Sequence, residues 1–562
     1  MKKTLLRTHL VLFLLISVTT GLRSQEIFHD AGGERIRVFT DRTTYAAGEE
    51  VLFSAFIYNG NNLLNEDFSR IFYGELITPD GFRIAGGKYP LQQSAGWGSL
   101  KIPDETISGI YYLKFYTRFM RNTGPKEYMY IMLKIINPYN TDVLSGKDVI
   151  DTVTLSWNHA GIGKETQIIS VSPDKETFRP REKINLRINL GSGKALPASN
   201  CLSVIPEYTF NDHFVSGNIA TDSVSTGFYL PETRGISLSG QLVDKESVNP
   251  LPFARVNLSI IGDKDLLVKT TDSSGRFYFA LPYYHGSKDI FLSAEDLPDV
   301  TPQILIDNDF CSRSVSLPSP GFTLSDNEMN AVYKLAVNRK VCEKFRQDTA
   351  KGDFLSEGDS VRFYSTPSDV FIMDKYIDLP TLEEYFYELP VNIKLRKVQG
   401  KKQFRFYTTQ EEMSFRAPLI LIDWVAVSDI EKILAMSPLS IERIEVVNSL
   451  YVKGNIIYGG IISFISKKND FAGIDLPTSG TFINYTFLQQ GSNSIFQGPF
   501  VSNLPDSRNT LYWNPALKLN EEGVADISFP APDTPGTYDI LLRTISSNGE
   551  VTLTHETIVV EE

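Results

Sequence analysis

Alternation of apolar and polar positions dominates this chain. Val51, Phe53, Ala55 and Ile57 occupy every second position of one run, Ile184, Leu186 and Ile188 do so in another, and Phe277 and Phe279 sit two apart after the turn at 273–275. A period of two puts one apolar face on a strand, so these runs predict half-buried strands separated by turns. The first of them is part of a repeat. Ile36, Val38, Asp41, Arg42, Tyr45, Glu49, Val51 and Phe53 recur 133 residues later as Ile169, Val171, Asp174, Lys175, Phe178, Glu182, Ile184 and Leu186. A strand, a turn with an aromatic residue and a second alternating strand make the grammar of a β-sandwich.

Helical spacing is confined to short stretches. Ser325 to Glu328 reads as a capping box that opens a helix with Val332, Leu335, Cys342 and Phe345 on one apolar face. Thr381 with Glu384 predicts a second helix after Pro380, Ser428 with Glu431 a third reaching Met436, and Ser437-Pro438 the start of another. Between them Pro418 to Val427 reads as an apolar strand and turn. The expected fold is mainly β and multidomain, with immunoglobulin-like sandwiches and a small α/β domain.

The N-terminus changes the picture of where this fold works. Lys2, Lys3 and Arg7 precede an apolar run from Leu10 to Val18, the pattern of a secretory signal peptide over residues 1–24 with cleavage near Ser24. The run is shorter than the about 20 residues of a membrane helix, and no later segment reads as one. No cysteine stands near the cleavage site to carry a lipid. The 562 residues exceed one core. Loss of Lys2, Lys3, Arg7 and Arg23 moves the formal charge from -12 to -16, which argues against nucleic acid or an anionic membrane surface as the main partner. Cys201, Cys311 and Cys342 are too few for a disulfide framework and read as buried thiols.

Three segments resemble known families. "VFTDRTTYAAGEEVLFSAFIYNG" resembles the opening of the macroglobulin-type β-sandwich, which implies such a domain over 26–140. Its close, "GSLKIPDETISGIYYLKFYT", would start a strand at Gly98, turn at Gly109 and begin the last ladder at Tyr111. A similar closing phrase recurs with Gly523, Pro530, Gly536 and Tyr538. This suggests a second sandwich split between 165–232 and 505–562, with a separate C-terminal β-domain as the alternative. Residues 236–310 resemble a carboxypeptidase-regulatory-like domain, a seven-stranded sandwich whose name carries no catalysis. Residues 311–490 contain a run, Ile441 to Lys468, similar to the plug domain of TonB-dependent receptors, although Tyr451 to Gly454 replaces the usual Gly-Pro step. After Lys468 the chain is too short for a transporter barrel of about 22 strands at about 10 residues each. The combination is similar to a recurring class of Bacteroidetes envelope proteins.

His29, His159, His213, His285 and His555 are dispersed without metal-ligand spacing, and no serine lies in a nucleophile elbow. No cysteine stands in the Gly-Cys-Gly-Glu-Gln pattern of a macroglobulin thioester. Asp41 and Asp174, possible acids or calcium ligands, read better as turn residues. Gly459-Gly460 and Gly32-Gly33 lack phosphate-loop spacing and read as tight turns. The expectation is no catalytic, metal or cofactor site and no cofactor. The leading function is a non-enzymatic interaction or scaffold protein, periplasmic or outer-membrane-associated, docking to a transport, secretion or surface-assembly complex. The alternatives are an accessory of TonB-dependent uptake that binds a small ligand on 311–490, and a thioester-less protease trap with its bait in 479–508.

Overall fold

The computed structural model describes residues 33–562 apart from 60–61, 64–67, 147–152, 158–168, 191–198, 212, 218, 222–227, 346–361, 365, 390–391, 399, 408–410, 490–503 and 547–549. The signal peptide expected over 1–24, His29, Gly32 and His159 lie outside the described residues. The architecture is mainly β and multidomain. Among the described residues no helix is long and apolar enough to cross a membrane. The chain divides into two compact units, one of residues 1–234, 310–350 and 488–562, the other of 235–309 and 351–487.

In the first unit the strand Glu50–Asn59 lies between Arg35–Thr40 and Ala95–Lys101, with Val38 opposite Ala55 and Phe53 opposite Gly98. Its apolar face meets a second sheet that contains Ile71–Ile77, Arg83–Pro90, Gly109–Tyr116 and Met129–Ile136. Phe53 packs edge-on to Tyr89 at 4.8 Å and to Phe115 at 5.0 Å between ring centroids, contacts that add about 0.5–1.5 kcal/mol each beyond area burial. Gly98 lies inside its strand, not at the start. A Cβ there would stand 2.4 Å from the Tyr89 ring, so the glycine makes room for the aromatic core. Gly109, expected at a turn, instead opens a strand, and the last ladder is Met129–Ile136.

The echo of that opening forms a second pair of sheets. Ile169–Pro173 and Lys183–Leu190 pair with each other, and the latter with Val524–Pro530, with Ile184 opposite Phe529. Facing them, Ser199–Pro206 pairs with Gly536–Ile545, which pairs with Val551–Val560. Ile184, Leu186, Val204, Phe529, Ile540 and Ile558 share one core. The boundary at 232 needs correction. His213–Gly217 pairs with Val153–Trp157 and, at Phe214, with Ile131, so the backbone joins the first sandwich's sheet. Ala220–Thr221 pairs instead with Val315–Ser316.

The helix Asp326–Phe345 also belongs to the first unit, not with the plug-like segment. Its capping box forms, since the Ser325 N–H donates to Glu328 at 2.8 Å and the Glu328 N–H to the Ser325 hydroxyl at 3.3 Å. Val332 and Leu335 are buried, but Phe345, the last residue of the helix, is exposed and Cys342 is only half-buried.

The second unit opens with a sandwich. Ile236–Asp244 lies between Arg276–Leu281 and Pro302–Ile306, and the opposite sheet runs Asp265–Thr270, Arg255–Ile260, Ser287–Ala294 and Thr481–Thr486. That last strand pairs Ile483 with Ile290. It begins inside the stretch expected as bait, whose residues 490–503 lie outside the described ones, and it ends the plug-like segment before residue 481.

The rest of the unit is a mixed sheet of Asp369–Ile372, Ile441–Val447, Ile461–Ser466, Leu419–Ile422 and Val425–Ala426, in which Leu419–Ile422 runs parallel to Ile461–Ser466. The turn at Asp423 and Trp424 takes positive φ at both residues, 43° and 71°. It is fastened by the Asp423 carboxylate, which accepts the Ser466 N–H at 2.8 Å, the Ser466 hydroxyl at 2.6 Å and the Phe471 N–H at 2.9 Å. Thr381 caps Leu382–Glu388 by accepting the Glu384 N–H. After the short helix Glu411–Phe415, the helix expected to reach Met436 is shorter, Ile430–Leu434, and its cap is Asp429, whose carboxylate accepts the N–H groups of Glu431 and Lys432. Ser428 is drawn away, donating to Asp296 at 2.7 Å. Ser437-Pro438 starts only a single 3-10 turn, Pro438–Ser440.

Candidate functional site

The second unit contains a cleft of about 1050 Å³. One wall comes from the sandwich through Arg255, Asn257 and Ser293 to Asp296. The other comes from Lys401 to Arg405, on one strand of the hairpin of Ile393–Val398 and Lys401–Phe406, from the 415–420 segment and from the start of the Ile430–Leu434 helix. Gly459 and Gly460 allow the chain to close behind it. A Cβ on Gly459 would meet the Met413 and Arg416 carbonyls at 2.7 and 2.5 Å, and Gly460 has φ of 120°.

The hairpin sets the electrostatics. Ile393, Phe404 and Phe406 point into the core, so alternation sends Lys394, Arg396 and Arg405 to the other face. The two strands carry Lys394, Arg396, Lys397, Lys401, Lys402 and Arg405 and no acidic residue. Lys394 stands opposite Arg405, and Lys397 opposite Lys402. Like charges directly opposed in a ladder are destabilising, by an amount on the scale of about 0.2–1 kcal/mol per pair. Lys402 is relieved by Glu383 at 2.7 Å. Arg405 donates to Gln403 at 2.6 Å and leaves its Nη1 buried without a partner. Burial, with repulsion from Arg396, holds its guanidinium below the ordinary arginine value.

The acids of the cleft are largely engaged. Glu295 accepts the Arg255 N–H at 2.8 Å and lies 3.5 Å from its guanidinium. Asp296 is held by Ser428, and Asp429 caps the helix. Asn257, only 7% exposed, leaves its Oδ1 unpaired. Phe415 and Ile457 line the cleft while exposing 80% and 42% of their surface. The arrangement offers fixed polar atoms, apolar surface and, among the described residues, cations such as Arg405 with no carboxylate at ion-pair distance, in one concavity.

The residues singled out in the sequence lie elsewhere. The Asp41 carboxylate accepts the Leu52 N–H at 2.9 Å, the Tyr45 hydroxyl at 2.7 Å and the Thr510 hydroxyl at 2.6 Å. Glu49 accepts the Ala46 N–H at 2.6 Å and pairs with Arg42 at 3.1 Å. The repeat reproduces this fastening. Asp174 accepts the Asn185 N–H at 3.1 Å, and Glu182 accepts the Arg179 N–H at 2.9 Å and pairs with Lys175. Both aspartates therefore close turns. Of the histidines, His285 is exposed and His555 contacts Asp539 at 2.9 Å. Sequence reasoning missed the cleft. The available signal was the six bases between 394 and 405, an unbroken positive run in an acidic chain.

No family model and no curated protein matches the chain. Among solved structures, Salmonella α2-macroglobulin reacted with methylamine aligns at 9% identity and a TM-score of 0.24, covering 94% of this chain and 40% of that one. Escherichia coli α2-macroglobulin activated by porcine elastase gives 9%, 0.24, 94% and 44%. An adhesin of Yersinia pseudotuberculosis gives 12%, 0.15, 49% and 60%. The chain spans about two-fifths of the length of the macroglobulins it aligns with.

Proposed function

We propose that this chain is an exported, non-enzymatic cell-envelope protein that works by holding a partner, with the second unit as its recognition module. The observation that carries the reading is the cleft of about 1050 Å³ with its unpaired polar atoms and exposed apolar side chains. Recognition sites are typically concave, apolar in part and set with a few oriented polar groups on rigid supports. Export rests on the pattern at residues 1–24, and the resemblances to envelope modules point to an outer-membrane transport, secretion or surface-assembly complex as the partner.

A small-ligand role confined to 311–490 fits less well, because that fragment lacks the wall formed by Arg255 to Asp296. The test is crosslinking of the native protein in intact cells, followed by identification of what co-purifies from the outer-membrane fraction. Reproducible recovery with one envelope complex is the expected result. Recovery of a freely soluble monomer would refute the reading.

A further inference from the structure

The geometry points to the chemistry of what is held: we infer that the partner presents an extended acidic segment with apolar side chains, seated in the cleft against the basic hairpin. The inference rests on the reading that the protein works by holding a partner. Its first support is charge. Lys401, Arg405 and Arg416 line the cleft, and among the described residues none of them has a carboxylate at ion-pair distance. The facing acids are spent on Arg255, Ser428 and the helix N-terminus, and of the remainder Glu431 lies 3.9 Å from Lys402 while Asp475 is exposed. Hydrogen bonds to neutral groups leave those acids charged, so the lining as a whole is nearly balanced, with six cations against five carboxylates, and the positive character is local to Lys401, Arg405 and Arg416.

The second support is cost. Opposing Lys394 to Arg405 and Lys397 to Lys402 works against the hairpin, and one glutamate on either strand would relieve it. Of these four bases Lys402 is paired with Glu383, whereas Arg405 lines the cleft with no carboxylate at ion-pair distance among the described residues, so an anionic partner docked there would supply its countercharge.

The third support separates an acidic peptide from a bare anion. Asn257 Oδ1 is a buried acceptor and Arg405 Nη1 a buried donor, both unpaired and both on residues lining the same cleft. A carboxylate brings no donor to such an acceptor and phosphate only an acidic hydroxyl, whereas a main chain brings N–H donors along with its carbonyls. Phe415 and Ile457 add exposed apolar surface where side chains of the same segment can anchor. A volume of about 1050 Å³ stands at the upper end of drug-sized pockets, about 300–1,000 Å³, and so has room for several residues of extended chain.

The experiment uses the full mature chain and a short labelled peptide alternating glutamate with leucine, read by fluorescence anisotropy. A peptide with lysine replacing glutamate is the control. We expect saturable binding of the acidic peptide, at least about tenfold tighter than the control and weakening as salt rises. The R405A/R416A variant should lose about tenfold or more in affinity, while R405K/R416K retains part of it and both melt as the parent does. Equal binding of the two peptides, or unchanged affinity in R405A/R416A, overturns the inference. So does competition by inorganic phosphate or by anionic phospholipid vesicles as strong as that of unlabelled peptide, which would assign the site to phosphate. Crosslinking in cells carrying R405A/R416A separates the two levels of the argument. An unchanged partner yield refutes this site while the holding role stands, whereas no partner with either protein refutes the role itself.

Discussion

Replacing Asp423 by alanine tests whether one carboxylate fastens the mixed sheet of the second unit. The side chain is 6% exposed and receives two backbone N–H groups and one hydroxyl, from Ser466 and Phe471, at 2.6–2.9 Å. Asp423→Ala leaves those donors facing a methyl group in a site where Ser466 is 1% exposed. Each unsatisfied buried donor costs about 1–3 kcal/mol, and alanine tolerates the φ of 43° less well than aspartate. A total of about 3 kcal/mol is expected after partial relaxation and water entry. Asp423→Asn keeps one oxygen and a residue suited to positive φ, so about half that loss should follow. The assay is native-state hydrogen exchange of the Ile461–Ser466 amides, which reports local opening without requiring the whole chain to unfold in one step. A loss of 3 kcal/mol corresponds to roughly a 100-fold rise in exchange. Protection falling less than about threefold in Asp423→Ala would show that the turn is held by its backbone alone.

Three further outcomes follow from the geometry. Maleimide should modify Cys342, the half-buried thiol beside Ser507, well before Cys201, which burial pushes up to about 12 against the opposing effect of Arg543; comparable rates measured by mass spectrometry would refute this. The hydrogen bond to Asp539 raises the His555 pKa above its ordinary value. Its contribution is therefore complete below about pH 6.5 and fades as pH rises through the higher folded value. Hydrogen exchange along Val551–Val560 should show a small loss of protection over that window, abolished in His555→Gln. Lys394→Glu places a carboxylate opposite Arg405, so the hairpin should gain about 0.5 kcal/mol in exchange protection while acidic-peptide binding weakens. A hairpin that loses protection would show that the opposed charges are not the strain they are taken to be.

Local signals carried much of the fold. The alternation at Ile184 to Ile188 became Lys183–Leu190, buried on one face as period two requires, whereas Glu50–Asn59 buries Ser54, Phe56 and Tyr58 as well as Val51, Phe53, Ala55 and Ile57 and so is covered on both faces. The box at Ser325 formed in full and the Thr381 hydroxyl took its half, the cap on the Glu384 N–H, because these partners lie within one turn. Competition defeated the prediction at Ser428. Asp296, far away in sequence, claims its hydroxyl, and the next residue takes over the cap. His213–Gly217 and Thr481–Thr486 are ordinary strands whose partners no local pattern specifies. The cleft was hidden for the same reason, since its walls come from residues 255–296 and 401–478. Only its charge was written in one continuous run.

The pairing of Lys183–Leu190 with Val524–Pro530 has a consequence for biogenesis. During synthesis Leu186 emerges long before Ile527, and the sheet that needs both cannot close while the second unit is still being made. Contacts this remote in sequence form slowly. Until then Lys183–Leu190 can pair only with Ile169–Pro173 and leaves its other edge open, the kind of edge that recruits foreign strands. The second unit, both of whose strands and helices lie inside that interval, can fold first. A nascent chain of this architecture is therefore most vulnerable to aggregation until Val524–Pro530 arrives, the interval in which a chaperone covering the open edge of Lys183–Leu190 would protect it.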